Sequence, residues 1–179
     1  MINVSSYLYY KRVLIKLVEV SNGMKYQLRK FLTKPIKSNN KWNIDFFNEC
    51  GDEFINKLKC YLPNFMAGII DPDINPDKPE GYIQNLHNGR LGDFSQRYII
   101  VAYDKHVPVG ILIGLMMENQ KLHIYSIGVS PAYRKCGVAS ELLIKCINDM
   151  IDHGIVELIL DVHEDNKPAF NLYQKFGFR

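Results

Sequence analysis

The chain has 179 residues, 47% of them hydrophobic and 23% charged, a balance that excludes disordered and collagen-like chains and supplies one sizeable core. Its most apolar stretch, Val107 to Met117, is broken by Pro108, Gly110 and Gly114 and is shorter than the roughly 18 residues a bilayer-spanning helix needs. The N-terminal run MINVSSYLYYKRVL lacks the unbroken apolar centre and small-residue cleavage site of a signal peptide, so a cytoplasmic location without a membrane partner is expected.

Residues 1–41 carry nine Lys or Arg against Glu19 alone, a local balance of +8 that leaves −5 on the remainder. Such asymmetry can mark a nucleic-acid partner. No nucleic-acid motif accompanies it, so these cations are read as the solvated face of a first strand and helix, with Val13, Ile15, Leu17, Leu28, Phe31 and Leu32 inward and no nucleic acid bound. The strand is expected over Arg12 to Val20 and the helix from Asn22 to about Leu32. A second helix is expected from Asp45 through Tyr61, where apolar residues recur at near-helical spacing, ended by Pro63. Pro63 to Asp93 is expected to be irregular. Within it, Asp71 to Glu80 holds three prolines and an excess of acid, an exposed loop near a substrate. The four cysteines, Cys50, Cys60, Cys136 and Cys146, form neither a CxxC pair nor a dense disulfide framework, so reduced thiols and no metal are expected.

From Arg97 the pattern sharpens. RYIIVAY, VGILIGLMM and KLHIYSIGV are rich in β-branched, aromatic and aliphatic residues and are separated by short polar connections, which makes an antiparallel meander. After Pro131 the period changes: Ala139, Leu142, Leu143, Cys146, Ile147 and Met150 fall on one side of a helix that Gly154 can end. Glu157 to Val162 reads as a further strand, parallel to the one before the helix. A short helix, about Lys167 to Phe176, closes the sequence. The fold class is α/β with a mixed sheet, in a single domain over 1–179.

Between the strand ending at Val129 and the helix starting near Gly137 lies SPAYRKCGVA. A helix start after a strand offers free N–H groups and a positive dipole end to a pyrophosphate. Gly137 allows close backbone approach, and Arg134 and Lys135 add charge. The loop is neither a Walker loop nor a dinucleotide fingerprint.

The run IYSIGVSPAYRKCGVASELL, followed by EDNKPAFNLYQKFGF, resembles the GNAT superfamily of acyl-CoA-dependent N-acetyltransferases. The shared pattern is Arg-x-x-Gly-x-Ala after a strand, then Asn-x-x-Ala-x-x-x-Tyr-x-x-x-Gly-Phe. The likeness covers Arg97 to Arg179 well and Val13 to Leu32 weakly, and 33–96 match nothing in it. It implies a GNAT-like, mostly antiparallel sheet whose parallel central strands splay apart, flanked by helices. The acyl-CoA pantetheine arm would lie in that gap on the backbone of Ile127, Gly128 and Val129, with the Ile127 N–H on the thioester oxygen. Arg134, Lys135, Cys136, Gly137, Val138, Ala139 and Ser140 would surround the pyrophosphate, and Asn166 would cap the last helix or bind the arm.

The same resemblance gives acetyl-CoA as cosubstrate, a small-molecule or peptide amine as acceptor, and Tyr173 as the acid that protonates the departing thiolate. Tyr173 is also at core spacing with Phe170 and Phe176. His123 is the candidate base, on one strand face with Tyr125, Ile127 and Val129; His163 and Glu164 are lesser candidates. The alternative is a non-catalytic acyl-CoA-binding module. The family's sheet normally continues past Gly-Phe with two more strands, whereas this sequence stops at Arg179. An uncovered edge beside the 157–162 strand is therefore expected, which a homodimer would close.

Overall fold

A computed structural model describes the backbone of residues 6–10, 13–20, 23–71 and 74–179, and the side chains of 24–71 and 74–179. Arg12, Asn22 and, within the acidic stretch, Pro72 and Asp73 lie outside the described residues, as do the side chains of Val13, Ile15 and Leu17, all expected inward. Among the described residues, eight strands form one sheet: β1 (Ser6–Tyr10), β2 (Val13–Val20), β3 (Gly23–Phe31), β4 (Asn43–Phe46), β5 (Arg97–Asp104), β6 (Val107–Met117), β7 (Lys121–Val129) and β8 (Glu157–His163). Their spatial order is β1-β2-β3-β8-β7-β6-β5-β4. Of these pairings only β7–β8 is parallel. The helices are α1 (Gly51–Phe65), α2 (Glu80–His87), α3 (Val138–Asp152) and α4 (Lys167–Lys175).

The meander β5–β6–β7 and the crossover through α3 to β8 form as the sequence pattern predicts. Strand β5 buries both its faces, with Tyr98, Ile100 and Ala102 under α3, and Ile99 and Val101 under α1 and α2. A strand covered on both sides reads as a continuous apolar run. Two cores result, one between the sheet and α3 and α4, the other between the sheet and α1 and α2.

Residues 23–31 are a strand, not the expected helix. Tyr26 and Leu28 face the α3 core, while Lys25, Gln27 and Arg29 take the other side. The period is therefore two, and pairing with β8 decides it: Lys25 meets Asp161 and Arg29 meets Glu157, each at 3.0 Å. These partners stand more than 120 residues away, where a local window cannot weigh them. Phe31, expected inward, is 69% exposed. The position of β3 also corrects the expected open edge. Strand β8 is paired along Glu157–His163 by β3, and the backbone of Arg179 exchanges two hydrogen bonds with Arg29. The edge that would have called for a dimer is occupied.

Two further boundaries differ. Asp45 and Phe46 belong to β4, on the outer edge beside β5, and α1 starts only at Gly51. Pro63 lies inside α1, which continues to Phe65. A proline removes its own N–H bond but leaves later ones intact, and the Met66 N–H still bonds the Leu62 carbonyl at 2.9 Å. The expected irregular stretch contains α2, which Pro79 introduces.

Residues 32–42 form a strap from β3 to β4 along the outer side of α3. Asn148 bonds both the N–H and the carbonyl of Ile36, at 2.8 and 2.9 Å. Glu141, only 6% exposed, accepts from the Ser38 hydroxyl at 2.6 Å and the Asn39 N–H at 3.3 Å. These contacts satisfy a carboxylate that burial would otherwise penalise.

Candidate active site

Strands β7 and β8 pair only over Lys121–Ile124 and Glu157–Leu160. Beyond that, β7 stays bonded to β6 as far as Val129 and β8 to β3 as far as His163. Each strand follows its outer neighbour, and the two part. A bulge in β7 marks the parting point, since Ile124 pairs with Gly114 and Ser126 with Ile113 while Tyr125 has no opposite residue. Bulges bend the strand that carries them. The resulting cleft, about 480 Å³, is lined by both strands, the loop into α3, the face of α4 and residues 68–71 after α1.

The bulge also corrects the expected strand face. Leu122 and Ile124, then Ile127 and Val129, turn to the α3 core, whereas Tyr125 faces the α1 and α2 core. Strict alternation would have put His123 with Ile127; one inserted residue reverses the phase. His123 instead stacks on Tyr125, with ring centres 4.3 Å apart. Its Nε2 stands 3.7 Å from the Asp161 carboxylate, which lines the cleft just where the strands part.

At one end of the cleft Gly137 precedes α3 with φ +93°, a left-handed geometry that favours glycine, and Lys135 before it has φ +60°. A Cβ at Gly137 would meet no atom within 4 Å, so the position is open toward the cleft it lines. Arg134, Lys135, Val138, Ala139 and Ser140 line the same end, as do Ile127 and Val129, while Gly128 and Cys136 do not. Gly128 packs against α1, where an added Cβ would lie 2.7 Å from the Met66 sulfur. Arg134 is committed: Nε donates to the Val129 carbonyl at 3.0 Å and Nη2 to that of Ala67. Its side chain thus ties the end of β7 to the segment after α1.

Tyr173 and Asn166 come from α4. Asn166 caps the helix, its Oδ1 accepting from the Ala169 N–H at 3.2 Å, and its Nδ2 donates to the Ile70 carbonyl at 3.0 Å across the cleft mouth. Tyr173 is 7% exposed, packs on Phe178 with ring centres 5.9 Å apart and also lines the cleft. Core packing and a place at the site are combined in one residue. Burial first, and the Asp71 carboxylate second, raise its phenol above the usual tyrosine value, so it carries its proton at neutral pH.

Residues 62–178 match the model of the acetyltransferase (GNAT) family. The chain belongs to that family. The match begins well before the motif stretch and takes in the end of α1 and all of α2. Among relatives of this GNAT chain, an N-alpha-acetyltransferase of Sulfurisphaera tokodaii is 38% identical over 117 residues, 56% of this chain and 67% of that protein. A mycothiol acetyltransferase of Corynebacterium glutamicum is 42% identical over 107 residues, 59% of this chain and 37% of that one. An N-alpha-acetyltransferase of Sulfolobus acidocaldarius is 38% identical over 76 residues, and the matched part spans 40% of its length. A solved PaiA N-acetyltransferase from Thermoplasma acidophilum, in complex with coenzyme A, has the same fold with TM-score 0.57 and 21% identity. That likeness covers 76% of this chain and 90% of that one.

Several residues of the GNAT chain's cleft carry no motif signal. Asp161 is an acid between Leu160 and Val162 in the strand ELILDVH, and its place in that apolar run is the clue it offers. Ser126 and the Tyr82 hydroxyl share a buried 2.9 Å hydrogen bond that fixes α2 to β7 beside the bulge. Asp71, from the acidic stretch, lines the cleft and accepts from the Ile74 N–H at 2.9 Å. His163 is 2% exposed, and its Nδ1 accepts from the Asp165 N–H at 3.2 Å. Glu164 is turned to β3, accepting from the Met24 N–H at 2.9 Å.

Proposed function

We propose that this GNAT chain moves an acetyl group from acetyl-CoA to an amine by direct attack while both substrates are bound. The carrying observation is the unpaired gap between β7 and β8, which runs from the Gly137 turn at the start of α3 to the buried Tyr173 hydroxyl. A strand segment without a neighbour has amide groups to offer a pantetheine arm, and helix-start N–H groups suit a pyrophosphate. The backbone of Ile127 and Val129 would hold the arm, with the Ile127 N–H on the thioester oxygen as charge builds there. Residues 134–140 would hold the phosphates.

His123, with Asp161 at 3.7 Å, would take the proton from the attacking ammonium, directly or through water. The amine lone pair forms the C–N bond, the C–S bond breaks, Tyr173 donates its proton to the thiolate, and the second proton leaving the nitrogen returns to the Tyr173 phenolate, directly or through water, which leaves the amide and free CoA thiol. A thiolate formed in the same buried cleft is raised by the same loss of solvent that raises the phenol, which keeps that transfer close to balanced. The names of the relatives make a peptide N-terminus the first acceptor to try.

The test is thiol release from acetyl-CoA in the presence of peptides with free N-termini and of small amines. Turnover with at least one class is expected. Release with no amine in a broad panel, by protein that binds acetyl-CoA in calorimetry, would support the binding-module alternative instead.

A further inference from the structure

The strap supplies the inference. It climbs the outer face of α3 from Ile36 beside Asn148, through Ser38 and Asn39 at Glu141, to Trp42, whose ring meets Tyr133 edge-on at 5.9 Å. Between Thr33 and Trp42 it carries Lys34, Lys37 and Lys41 and no acid. All three lysines are exposed. Held by these anchors, Lys41 arrives at the beginning of α3: its Nζ donates to the Cys136 carbonyl at 3.4 Å and lies 5.0 Å from the centre of the Trp42 ring. An ammonium has three donors, and this contact uses one. Lys135 and Gly137 line the cleft while Cys136 between them does not. Lys41 therefore meets the phosphate loop at Cys136, on a side that does not line the cleft.

We propose that Lys41 recognises the 3′-phosphate of the acyl-CoA nucleotide, a proposal that rests on the acyl-CoA reading above. The pyrophosphate has the N–H groups of the loop and of α3 to bind it, whereas a 3′-phosphate outside the cleft would depend on side-chain cations. The strap precedes the part of the chain that matches the family model, residues 62–178. A phosphate at Lys41 also gives part of the N-terminal basic excess a ligand.

Calorimetry with CoA and with 3′-dephospho-CoA tests it on the full chain and on Lys41→Gln, with Lys34→Gln, at the far end of the strap, as the control. The parent should bind CoA about tenfold more tightly than dephospho-CoA, which corresponds to about 1.4 kcal/mol. Lys41→Gln should erase that preference while leaving dephospho-CoA affinity unchanged, which also shows that the variant is folded, and Lys34→Gln should behave as the parent. If Lys41→Gln binds CoA as the parent does, or weakens both ligands equally, the proposal is overturned. A parent that binds neither ligand would instead overturn the acyl-CoA reading beneath it.

Discussion

Tyr173 offers the sharpest single-atom experiment. Removing its hydroxyl in Tyr173→Phe leaves the ring on Phe178, so affinity for CoA and thermal stability should hold while turnover falls about 10²- to 10⁴-fold, the usual contribution of a general acid. Unchanged turnover would return the residue to a packing role. Asp71 belongs to the acceptor side of the same argument: a carboxylate lining the cleft should attract a cationic amine. Asp71→Asn should raise KM for the amine, more at low salt than at high, and leave KM for acetyl-CoA unchanged. Among the thiols, Cys50, Cys60 and Cys136 are exposed, whereas Cys146 is buried and its ionisation is suppressed by that burial and then by Asp149. A thiol reagent at pH 8 should therefore titrate three groups rapidly in the native protein and the fourth only on unfolding. Gly137 and Asn166 were legible as candidates because each sits in a turn or a cap that its own neighbours define, and Tyr173 because it shares one short helix with Asn166. Asp161 and His123 meet only because β7 and β8 run in register, and spacing along the chain carries no trace of that contact.

Gly128 holds α1 against β7. A Cβ there would stand 3.0 Å from that of Phe65 and 3.2 Å from the Phe65 carbonyl oxygen, besides the Met66 sulfur. The sulfur can swing away, but the helix backbone cannot without moving. Gly128→Ala should cost about 1–3 kcal/mol, seen as a melting temperature several degrees lower, whereas an alanine at exposed Gly81 meets nothing within 4 Å and should not. The elements from Arg97 onward were legible because each buries a periodic face over enough residues to show it. Strand β3 was not: GMKYQLRKF is half polar and half apolar, a composition compatible with either period, and its ion pairs with β8 settle the matter from across the sheet. The bulge at Tyr125 escaped notice for a related reason, since a single residue out of phase is defined by the partner strand alone.

The sheet as a whole depends on β3. A chain shortened to begin at residue 33 would lose the partner of β8 and expose that strand along Glu157–His163, so it should aggregate more readily than the full chain or sediment as a larger species. Alkali should act on the whole molecule too. Tyr61, Tyr98, Tyr103 and Tyr173 are all raised, burial being the largest cause in each. Above about pH 10 the unfolded chain loses these protons while the folded one keeps them, so the unfolded state is favoured as pH rises and stability should fall there. Denaturant melts between pH 8 and 11 would reveal the slope, and a flat profile would contradict it. The reliance on β3 has a further consequence, in time rather than in space. Its register with β8 joins residues made 126 to 138 positions apart, from Phe31 with Glu157 to Lys25 with His163. At about 5–20 residues per second of synthesis, the N-terminal strands leave the ribosome roughly 6 to 28 seconds before β8 exists to receive them. Throughout that interval β3 presents an unfilled edge to the cell, until the synthesis of β8 lets the sheet close.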